Sequence, residues 1–250
     1  MPAGLILAGA KNDGPLREYS QASNEALIEI EGKPMIEYIF EALRKTEDID
    51  RIVVVGPETE LTGFTDGIEI INGQGSIMDN LDKGLNFLQD EETVLILTSD
   101  IPMITEKAIS DFLLRCSQRE GDLYYPVNSK EISEKSYPGV SRTFVKIKDG
   151  TFTGGNIFLV RTESALRSLP KAKEFISMRK KPLKLAGILG ISFILRLITR
   201  TLTIRAAEVR VSQILGLRAV AIISPHAEIG VDVDKPEDLE LARSVIKKAL

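Results

Sequence analysis

Apolar runs that alternate with amphipathic helical segments constrain this chain more than any other feature. Three runs are continuously apolar, as is typical of strands buried on both faces of a parallel sheet: GLILAG (4–9), RIVVVG (51–56) and TVLILTSD (93–100). Amphipathic helices are predicted at 33–46, 76–88 and 105–118. Further strands are predicted at 68–71, 123–127, 142–147, 156–160, 217–224 and 228–233, and a closing helix from Pro236. This order predicts an α/β fold, a three-layer α/β/α sandwich around a mostly parallel mixed sheet.

The length and the continuity of the pattern bear on domain organisation. The 250 residues suit one large α/β domain, and no repeat, low-complexity tract or linker interrupts them. Residues 165–215 are predicted to be mostly helical. We therefore predict a single domain over 1–250, with a helical insertion at about 165–215.

Composition excludes several classes of function. The net charge of −4 gives no overall basic field, so nucleic acid is not expected as a partner. The single cysteine, Cys116, falls at core spacing and fits a reducing cytoplasm, where we expect the protein to act; the N-terminal apolar run is too short for a signal peptide. The single histidine, His226, leaves no histidine-pair zinc site, and neither a P-loop nor a complete dinucleotide fingerprint is present.

A carboxylate ends one of the buried runs. In LILTSDIP, Asp100 stands at the end of the strand, and the nearby proline prevents the strand from continuing. Ligands of open α/β sheets collect outside the carboxyl ends of the strands, so Asp100 is well placed to hold a divalent cation. The alternative is a turn or helix-capping aspartate.

Two further carboxylates alternate in EIGVDVDKPEDL. If 228–233 is a strand, Asp232 and Asp234 lie on one face, where they repel each other unless they are exposed or bridged by a cation. Mg²⁺ takes one or two protein carboxylates and completes its shell with water and substrate phosphates. Asp100 with either Asp232 or Asp234 would make such a site; the alternative for Asp234 is that it caps the last helix.

Glycine and polar residues in the third quarter of the chain form a third candidate feature. In FTGGNIFLV, Gly154 and Gly155 permit close backbone approach, and Asn156 offers a donor and an acceptor. Arg142 and Lys146 alternate in SRTFVKI, so both would lie on one strand face, where they could meet a phosphate. The alternatives are a plain hairpin turn and an exposed strand face.

Together these segments resemble a known family. The order of LAG, ALIEIEGKPMIEYIFEAL, TSDIP, GGN and VDVDKPEDLELA is similar to that of nucleotidyltransferases of the glycosyltransferase-A-like fold, above all the MobA-like group related to molybdenum-cofactor guanylyltransferase. The resemblance covers nearly the whole chain. It implies a Mg²⁺-dependent enzyme that joins a nucleoside monophosphate, from GTP or CTP, to a phosphorylated small-molecule acceptor and releases pyrophosphate.

The resemblance also implies roles for particular residues. Asp100 and one of Asp232 and Asp234 would hold Mg²⁺, and Gly155 with Asn156 would face the acceptor. The nucleotide would lie over the loop after the first strand and near the GQGS segment, against Leu7, Ala8, Gly9, Ala10, Lys11, Gly75 and Ser76.

The first loop departs from the family pattern. The second glycine of LAGG is Ala10, the usual arginine is not evident, and Glu25 in SNEAL stands where the family has a lysine that binds the phosphates. Lys11 is the cation that could take over, which makes it a candidate catalytic residue. Glu25 also motivates a different class of function, a non-catalytic or weakly active nucleotide-binding protein. A nucleotide-sugar glycosyltransferase of the same fold is a third hypothesis, because DVD at 232–234 is formally a DxD motif.

A basic and apolar stretch lies within the helical insertion. Leu183 to Ile198 is too short to span a bilayer and carries Lys184 and Arg196. Three interpretations remain open: a buried helix or homodimer arm, the wall of an apolar acceptor pocket, and peripheral membrane contact through 179–200. The last two would suit a phosphorylated lipid or isoprenoid acceptor.

Overall fold

A nine-stranded mixed sheet organises the computed structural model, which describes residues 1–64, 67–140, 142–178 and 181–249. The strands found in these ranges are β1 (Ala3–Leu7), β2 (Glu29–Ile30), β3 (Lys33–Pro34), β4 (Ile52–Gly56), β5 (Glu69–Asn72), β6 (Thr93–Thr98), β7 (Leu123–Ser129), β8 (Val145–Ile147), β9 (Gly150–Gly154), β10 (Ile157–Arg161) and β11 (Ala219–Ile223). The helices are α1 (Met35–Lys45), α2 (Glu58–Leu61), α3 (Ile77–Phe87), α4 (Glu106–Ser117), α5 (Lys130–Ser136), α6 (Thr162–Ser177), α7 (Pro182–Leu189), α8 (Ile191–Ile198), α9 (Ile204–Leu215) and α10 (Pro236–Ala249).

The sheet has a parallel half and a mixed half. Its order is β5-β4-β1-β6-β10-β7-β9-β8, with β11 on the other edge of β7, while β2 and β3 form a separate antiparallel pair. The neighbours from β5 to β6 are parallel, and β10 runs antiparallel to both β6 and β7. The α/β fold with a mixed sheet is thus confirmed. The carboxyl ends of β1, β4 and β6 meet at one edge, where the nucleotide loop and Asp100 were expected.

Helices cover both faces of this sheet because the buried strands alternate their side chains between two cores. In β1, Leu5 and Leu7 point to the core that includes residues of α3 and α6, whereas Ile6 points to the core that includes residues of α1 and α4. A third core holds Val231 and Val233 against α10. The three-layer arrangement follows directly from strands that are apolar on both sides.

Three predicted elements differ from the structure. Residues 228–233 are not a strand: a short 3-10 turn (Ala227–Gly230) leads into an extended segment whose valines pack under α10, not in the sheet. The strand predicted from 142 begins only at Val145. The apolar helix predicted over 183–198 is two helices, α7 and α8, because Gly190 between them has a φ of 88°, which an L side chain rarely adopts.

Four helices, α6 to α9, separate β10 from β11 and occupy the region of the predicted helical insertion. Glu208 of α9 supports the outer edge of β11: it accepts a hydrogen bond from the Ala221 amide (2.9 Å) and pairs with Arg119 at 2.9 Å. In the described part of the chain, no helix is at once long and apolar enough to pass through a membrane.

Candidate functional site

Three carboxylates meet beyond the carboxyl end of β6. Asp100 follows this strand, and the Val233 amide donates to the Asp100 carbonyl oxygen at 2.8 Å, which holds the extended segment against it. As a result, one carboxylate oxygen from each of Asp100, Asp232 and Asp234 lies within 4.8 Å of the others. The two aspartates of the extended segment therefore reach the position expected of them, although no strand carries them there.

The electrostatics of this cluster favour a bound cation. Burial, with a smaller contribution from Asp232 and Asp234, raises the pKa of Asp100 to about 7, against the hydrogen bond from the Thr98 hydroxyl that lowers it. Burial and the neighbouring Asp232 likewise raise the pKa of Asp234. Such shifts mean that burial first, and then the neighbouring charges, disfavour the ionised carboxylates. An all-oxygen donor set of this kind fits Mg²⁺, with Asp100, Asp232 and Asp234 as the candidate ligands.

Arg142 contacts this cluster, not a free phosphate. Its guanidinium pairs with the Asp232 carboxylate, donates to the Asp232 carbonyl oxygen at 2.8 Å and lies 3.7 Å from Asp238. The side chain is 12% exposed, and its Nε is buried without a partner. The expectation that Arg142 and Lys146 share a strand face is wrong, because β8 starts after Arg142; Lys146 is exposed on the β8–β9 hairpin. An acceptor role for either residue stays a prediction.

Gly155 and Asn156 form a bulge, not a hairpin turn. Val127 of β7 is opposite Gly154 and Tyr124 is opposite Leu159, so two extra residues are accommodated between β9 and β10 along the same edge. The bulge directs β10 into the gap between β7 and β6. Its backbone is held by the Asn156 amide bonded to Ile229 (2.9 Å), and the Asn156 carbonyl accepts from Thr98 (3.3 Å). The bulge therefore lies beside Asp100, as bulges next to active sites often do.

The loop after β1 is braced by asparagine side chains. Asn24 donates to the Ala8 carbonyl at 2.8 Å, and the Glu25 amide donates to Ala10 at 3.1 Å. Asn12 donates to two carbonyls across the loop, those of Ser20 (3.0 Å) and Ala22 (2.9 Å). Lys11 is exposed on this loop, where its backbone forms an antiparallel bridge with Asn24. The loop is thus a fixed scaffold that presents one ammonium group to solvent.

Arg17, the arginine that the longer loop does contain, is occupied by the loop itself. Its guanidinium donates to the carbonyls of Gln21 (3.3 Å) and Ala22 (3.2 Å). Arg17 therefore does not replace the arginine that the family pattern has in this loop. Its guanidinium holds the loop together through these hydrogen bonds.

Glu25 faces the same side as the acidic cluster. Its pKa is raised by burial first and then by the charges of Asp234 and Asp13. A carboxylate in an already negative environment therefore stands where the resemblance implies a lysine. A nucleoside triphosphate bound at this edge would meet the negative charge of Glu25 as well as that of the acidic cluster.

The GQGS segment lies next to the first loop through Asn80. This residue of α3 is buried, its Oδ1 has no partner, and it packs between the backbones of Gly9 and Gly73. Ser76 caps α3: its hydroxyl donates to the Asp79 carboxylate at 2.7 Å and accepts from the Asp79 amide. Gly75 and Ser76 are exposed, so the predicted contact with a nucleotide remains available to their backbone.

Gly9→Ala is expected to disturb the loop after β1. A Cβ at Gly9 would lie 2.0 Å from Nδ2 of Asn80, a distance that forces the loop or α3 to move. We expect a loss of roughly 1–3 kcal/mol in the free energy of unfolding, as in other overpacked sites, and weaker nucleotide binding. Chemical denaturation and nucleotide titration measure the two effects. Gly14→Ala is the matched control, because its nearest neighbour is 3.8 Å away; equal behaviour of the two variants would contradict the assignment.

This chain is similar to known proteins in both sequence and structure. The sequence model of the MobA-like NTP transferase domain matches residues 4–184. The 2-C-methyl-D-erythritol 4-phosphate cytidylyltransferase of Clostridium perfringens strain SM101 is 34% identical over 116 residues, which cover 43% of this chain and 50% of that protein. A second cytidylyltransferase, from strain ATCC 13124, is 33% identical over the same share. The match spans about half the length of these curated relatives.

Solved structures extend the likeness over the whole chain. A hypothetical transferase from Thermus thermophilus has a TM-score of 0.83 and 34% identity, covering 95% of this chain and 99% of that one. CMP:2-keto-3-deoxy-manno-octonic acid synthetase complexed with CTP has a TM-score of 0.63 at 15% identity, covering 100% of both chains. 4-Diphosphocytidyl-2C-methyl-D-erythritol synthase from Anaerococcus prevotii has a TM-score of 0.60 at 12% identity, covering 98% and 96%. The last two share the fold.

Proposed function

The chain belongs to the MobA-like NTP transferase domain family, and on that premise we propose that it is a Mg²⁺-dependent nucleotidyltransferase. It would join a nucleoside monophosphate to a phosphorylated small-molecule acceptor and release pyrophosphate. The observation that carries the proposal is the cluster of Asp100, Asp232 and Asp234 at the edge of the sheet where the first loop also ends. CTP is proposed as the donor ahead of GTP, because the curated relatives are named cytidylyltransferases and one structural neighbour is a complex with CTP.

The reaction we propose needs no general base. An oxygen of the acceptor phosphate, already an anion at neutral pH, attacks the α-phosphorus of the nucleotide. A new P–O bond forms, the bond between the α-phosphorus and the bridging oxygen breaks, and pyrophosphate leaves with the electron pair. Catalysis then depends on positioning and on charge neutralisation. This agrees with the position of the chain's one histidine, His226, whose imidazole lies 3.7 Å from Asp111 and 3.6 Å from Glu228 and is not one of the candidate cation ligands.

The residues of the site divide this work. Asp100, Asp232 and Asp234 would hold the cation, which when bound neutralises the charge of the phosphates. Lys11 would contact the phosphates from the first loop, and Asn156 would orient the acceptor from the bulge. Arg142 keeps the Asp232 carboxylate oriented through its paired contacts with the side chain and the carbonyl oxygen.

Thermal unfolding with ATP, CTP, GTP and UTP, each with and without Mg²⁺, tests this proposal. A ligand at about 100 times its dissociation constant adds roughly 2.7 kcal/mol, which is about 5–10 °C for a chain of this size. We expect a Mg²⁺-dependent shift that is largest with CTP. If none of the four nucleotides raises the unfolding temperature, the enzyme proposal has no support. If only a nucleotide sugar raises it, the glycosyltransferase alternative is favoured.

Glu25→Lys tests whether the carboxylate at position 25 weakens nucleotide binding. The substitution replaces a carboxylate that faces Asp13 and Asp234 with the cation that the family uses. We expect Mg²⁺–CTP to bind about tenfold more tightly, because opposite charges at partly screened range attract by a kcal/mol or more. Glu25→Gln, which only removes the negative charge, should give a smaller gain. Weaker binding in Glu25→Lys would show that Glu25 has a task of its own.

A further inference from the structure

The distribution of charge singles out the helical insertion. Residues 175–207 contain seven basic residues and no acidic ones, whereas the rest of the chain has 25 basic and 36 acidic residues. The seven are Arg179, Lys180, Lys181, Lys184, Arg196, Arg200 and Arg205; the first two lie outside the described residues. An acidic protein thus carries one strongly cationic segment, which implies an anionic partner for that segment alone.

The same segment exposes an apolar face. On α8, Ile191 is 80% exposed, Leu195 56% and Ile198 70%, and their spacing places them along one side of the helix. No residue of α8 is buried, so the interpretation of this stretch as a buried helix is wrong. We call these three side chains the α8 stripe. Exposed apolar side chains grouped in this way are typical of interaction surfaces.

Several exposed cations lie near the α8 stripe along the chain. Lys181, Lys184, Arg196 and Arg200 are exposed, and within the ranges that the structure describes none has a carboxylate within 4.0 Å. Arg196 follows Leu195 in sequence and points to another side of α8, because consecutive helical residues are turned by about 100°. Long basic side chains beside apolar ones can bury their stems while their charges reach outward.

The insertion is attached firmly to the rest of the fold. Arg210 of α9 donates to the Leu189 carbonyl at the end of α7 (2.7 Å). Beyond α8, the Lys148 amide donates to Leu202 at 2.8 Å, and the Ile204 amide donates to the Asp149 carboxylate at 2.8 Å. These bonds place the end of α8 beside the β8–β9 hairpin, where Lys146 is exposed. The apolar stripe and its cations therefore belong to one fixed surface.

We propose that the α8 stripe docks this protein on the surface of an anionic lipid bilayer. A short amphipathic helix with apolar residues on one side and cations around them binds in the plane of the interface, its apolar side chains among the headgroups. Each lysine or arginine near an anionic membrane strengthens the attraction. A second copy of the chain fits this surface less well, since pairing would bring two segments of seven cations together.

Cosedimentation of the full chain with phosphatidylcholine vesicles, with and without phosphatidylglycerol, tests the proposal. We expect binding to the anionic vesicles that is weakened by high salt, and little binding to pure phosphatidylcholine. Ile191→Ser/Leu195→Ser/Ile198→Ser should bind about tenfold or more weakly, because it removes the apolar part of the contact. Lys184→Gln/Arg196→Gln/Arg200→Gln should lose the preference for phosphatidylglycerol. The matched control is Ile77→Ser/Phe87→Ser, which removes two exposed apolar side chains of α3.

Several outcomes would overturn the proposal. If the wild-type protein stays in the supernatant with anionic vesicles, the α8 stripe does not dock on membranes. Equal losses in the α8 variant and the α3 control would mean that the contact is not specific to α8. If size-exclusion chromatography shows a dimer that the α8 variant converts to a monomer, and no variant or wild-type protein sediments with vesicles, the α8 stripe covers a second copy instead. Unfolding temperatures of all variants confirm that each is folded.

Discussion

Asp100→Asn is expected to lose the Mg²⁺-dependent part of nucleotide binding while the protein alone becomes more stable at pH 8. The loss follows because the amide removes the charge of the central candidate ligand; transfer rates, once an acceptor is identified, should fall by about 10²–10³-fold, the usual effect of removing one group that stabilises transition-state charge. The gain in stability follows from burial, which raises the pKa of Asp100 to about 7 from an ordinary value of 3.8.

The pH dependence of that gain has a definite sign. Between the two pKa values the folded state of the wild type holds a proton that the unfolded state has lost, so its stability falls as the pH rises from about 4 to about 7. An asparagine at position 100 does not ionise, so the variant does not lose stability in this way as the pH rises. We expect Asp100→Asn to unfold roughly 2–8 °C higher than the wild type at pH 8, with a gain that shrinks towards pH 4.

Differential scanning calorimetry without metal, over this pH range, measures the effect of Asp100→Asn. Asp90→Asn, a change at an exposed aspartate between α3 and β6, should be neutral at every pH. A variant that is less stable than the wild type at pH 8 would contradict the stability cost that we assign to burial of the ionised Asp100 carboxylate. Retained Mg²⁺-dependent binding of CTP would instead contradict the role of Asp100 as a ligand.

Arg142→Met is expected to cost about 3–5 kcal/mol of unfolding free energy, the usual effect of removing one partner from a buried ion pair. The variant leaves Asp232 and Asp238 without their cation, next to Asp100 and Asp234. The unfolding temperature should fall by roughly 6–20 °C. Mg²⁺ should restore part of this loss in the variant, because a second cation can neutralise the same carboxylates.

Urea denaturation with and without Mg²⁺ measures the effect of Arg142→Met. Arg243→Met removes an arginine that pairs with Glu240 on the surface of α10, and should cost less than about 1 kcal/mol. The double variant Arg142→Met/Asp232→Asn should recover stability relative to Arg142→Met, since it also removes the unpaired charge. A cost within about 1 kcal/mol for Arg142→Met would mean that the pair with Asp232 is dispensable.

Most strands of the main sheet, their succession along the chain and the carboxylate at the end of β6 could be predicted because they depend on local patterns. Continuous apolar runs indicate strands that are buried on both faces, and Thr105 and Ser76 begin α4 and α3 as capping residues. The bulge at Gly155 and Asn156 could not be predicted, because it depends on how β9 and β10 share one edge of β7. A glycine pair in sequence is equally compatible with a hairpin.

Arg142 and the buried asparagines were beyond the reach of the sequence for a related reason. The pattern of SRTFVKI indicates a strand, and nothing in it shows that Arg142 pairs with Asp232, which lies far along the chain. Asn12, Asn24 and Asn80 look like ordinary loop or surface residues, yet all three are buried against the first loop. For Asn80 the available signal was a pair of glycines, Gly9 and Gly73, whose missing side chains leave the space that Asn80 fills. Tertiary contacts of this kind require the fold.

The bond from the Val233 amide to the Asp100 carbonyl oxygen has a consequence for the order in which the site is made. It joins two parts of the acidic cluster that are separated by roughly 130 residues, a contact of the kind that slows folding. On the ribosome, β1, β4 and β6 can pair long before Asp232 and Asp234 are synthesised. A nascent chain therefore carries the first loop without the proposed cation site, and we expect it to gain affinity for Mg²⁺–nucleotide only when the extended segment has emerged and packed under α10.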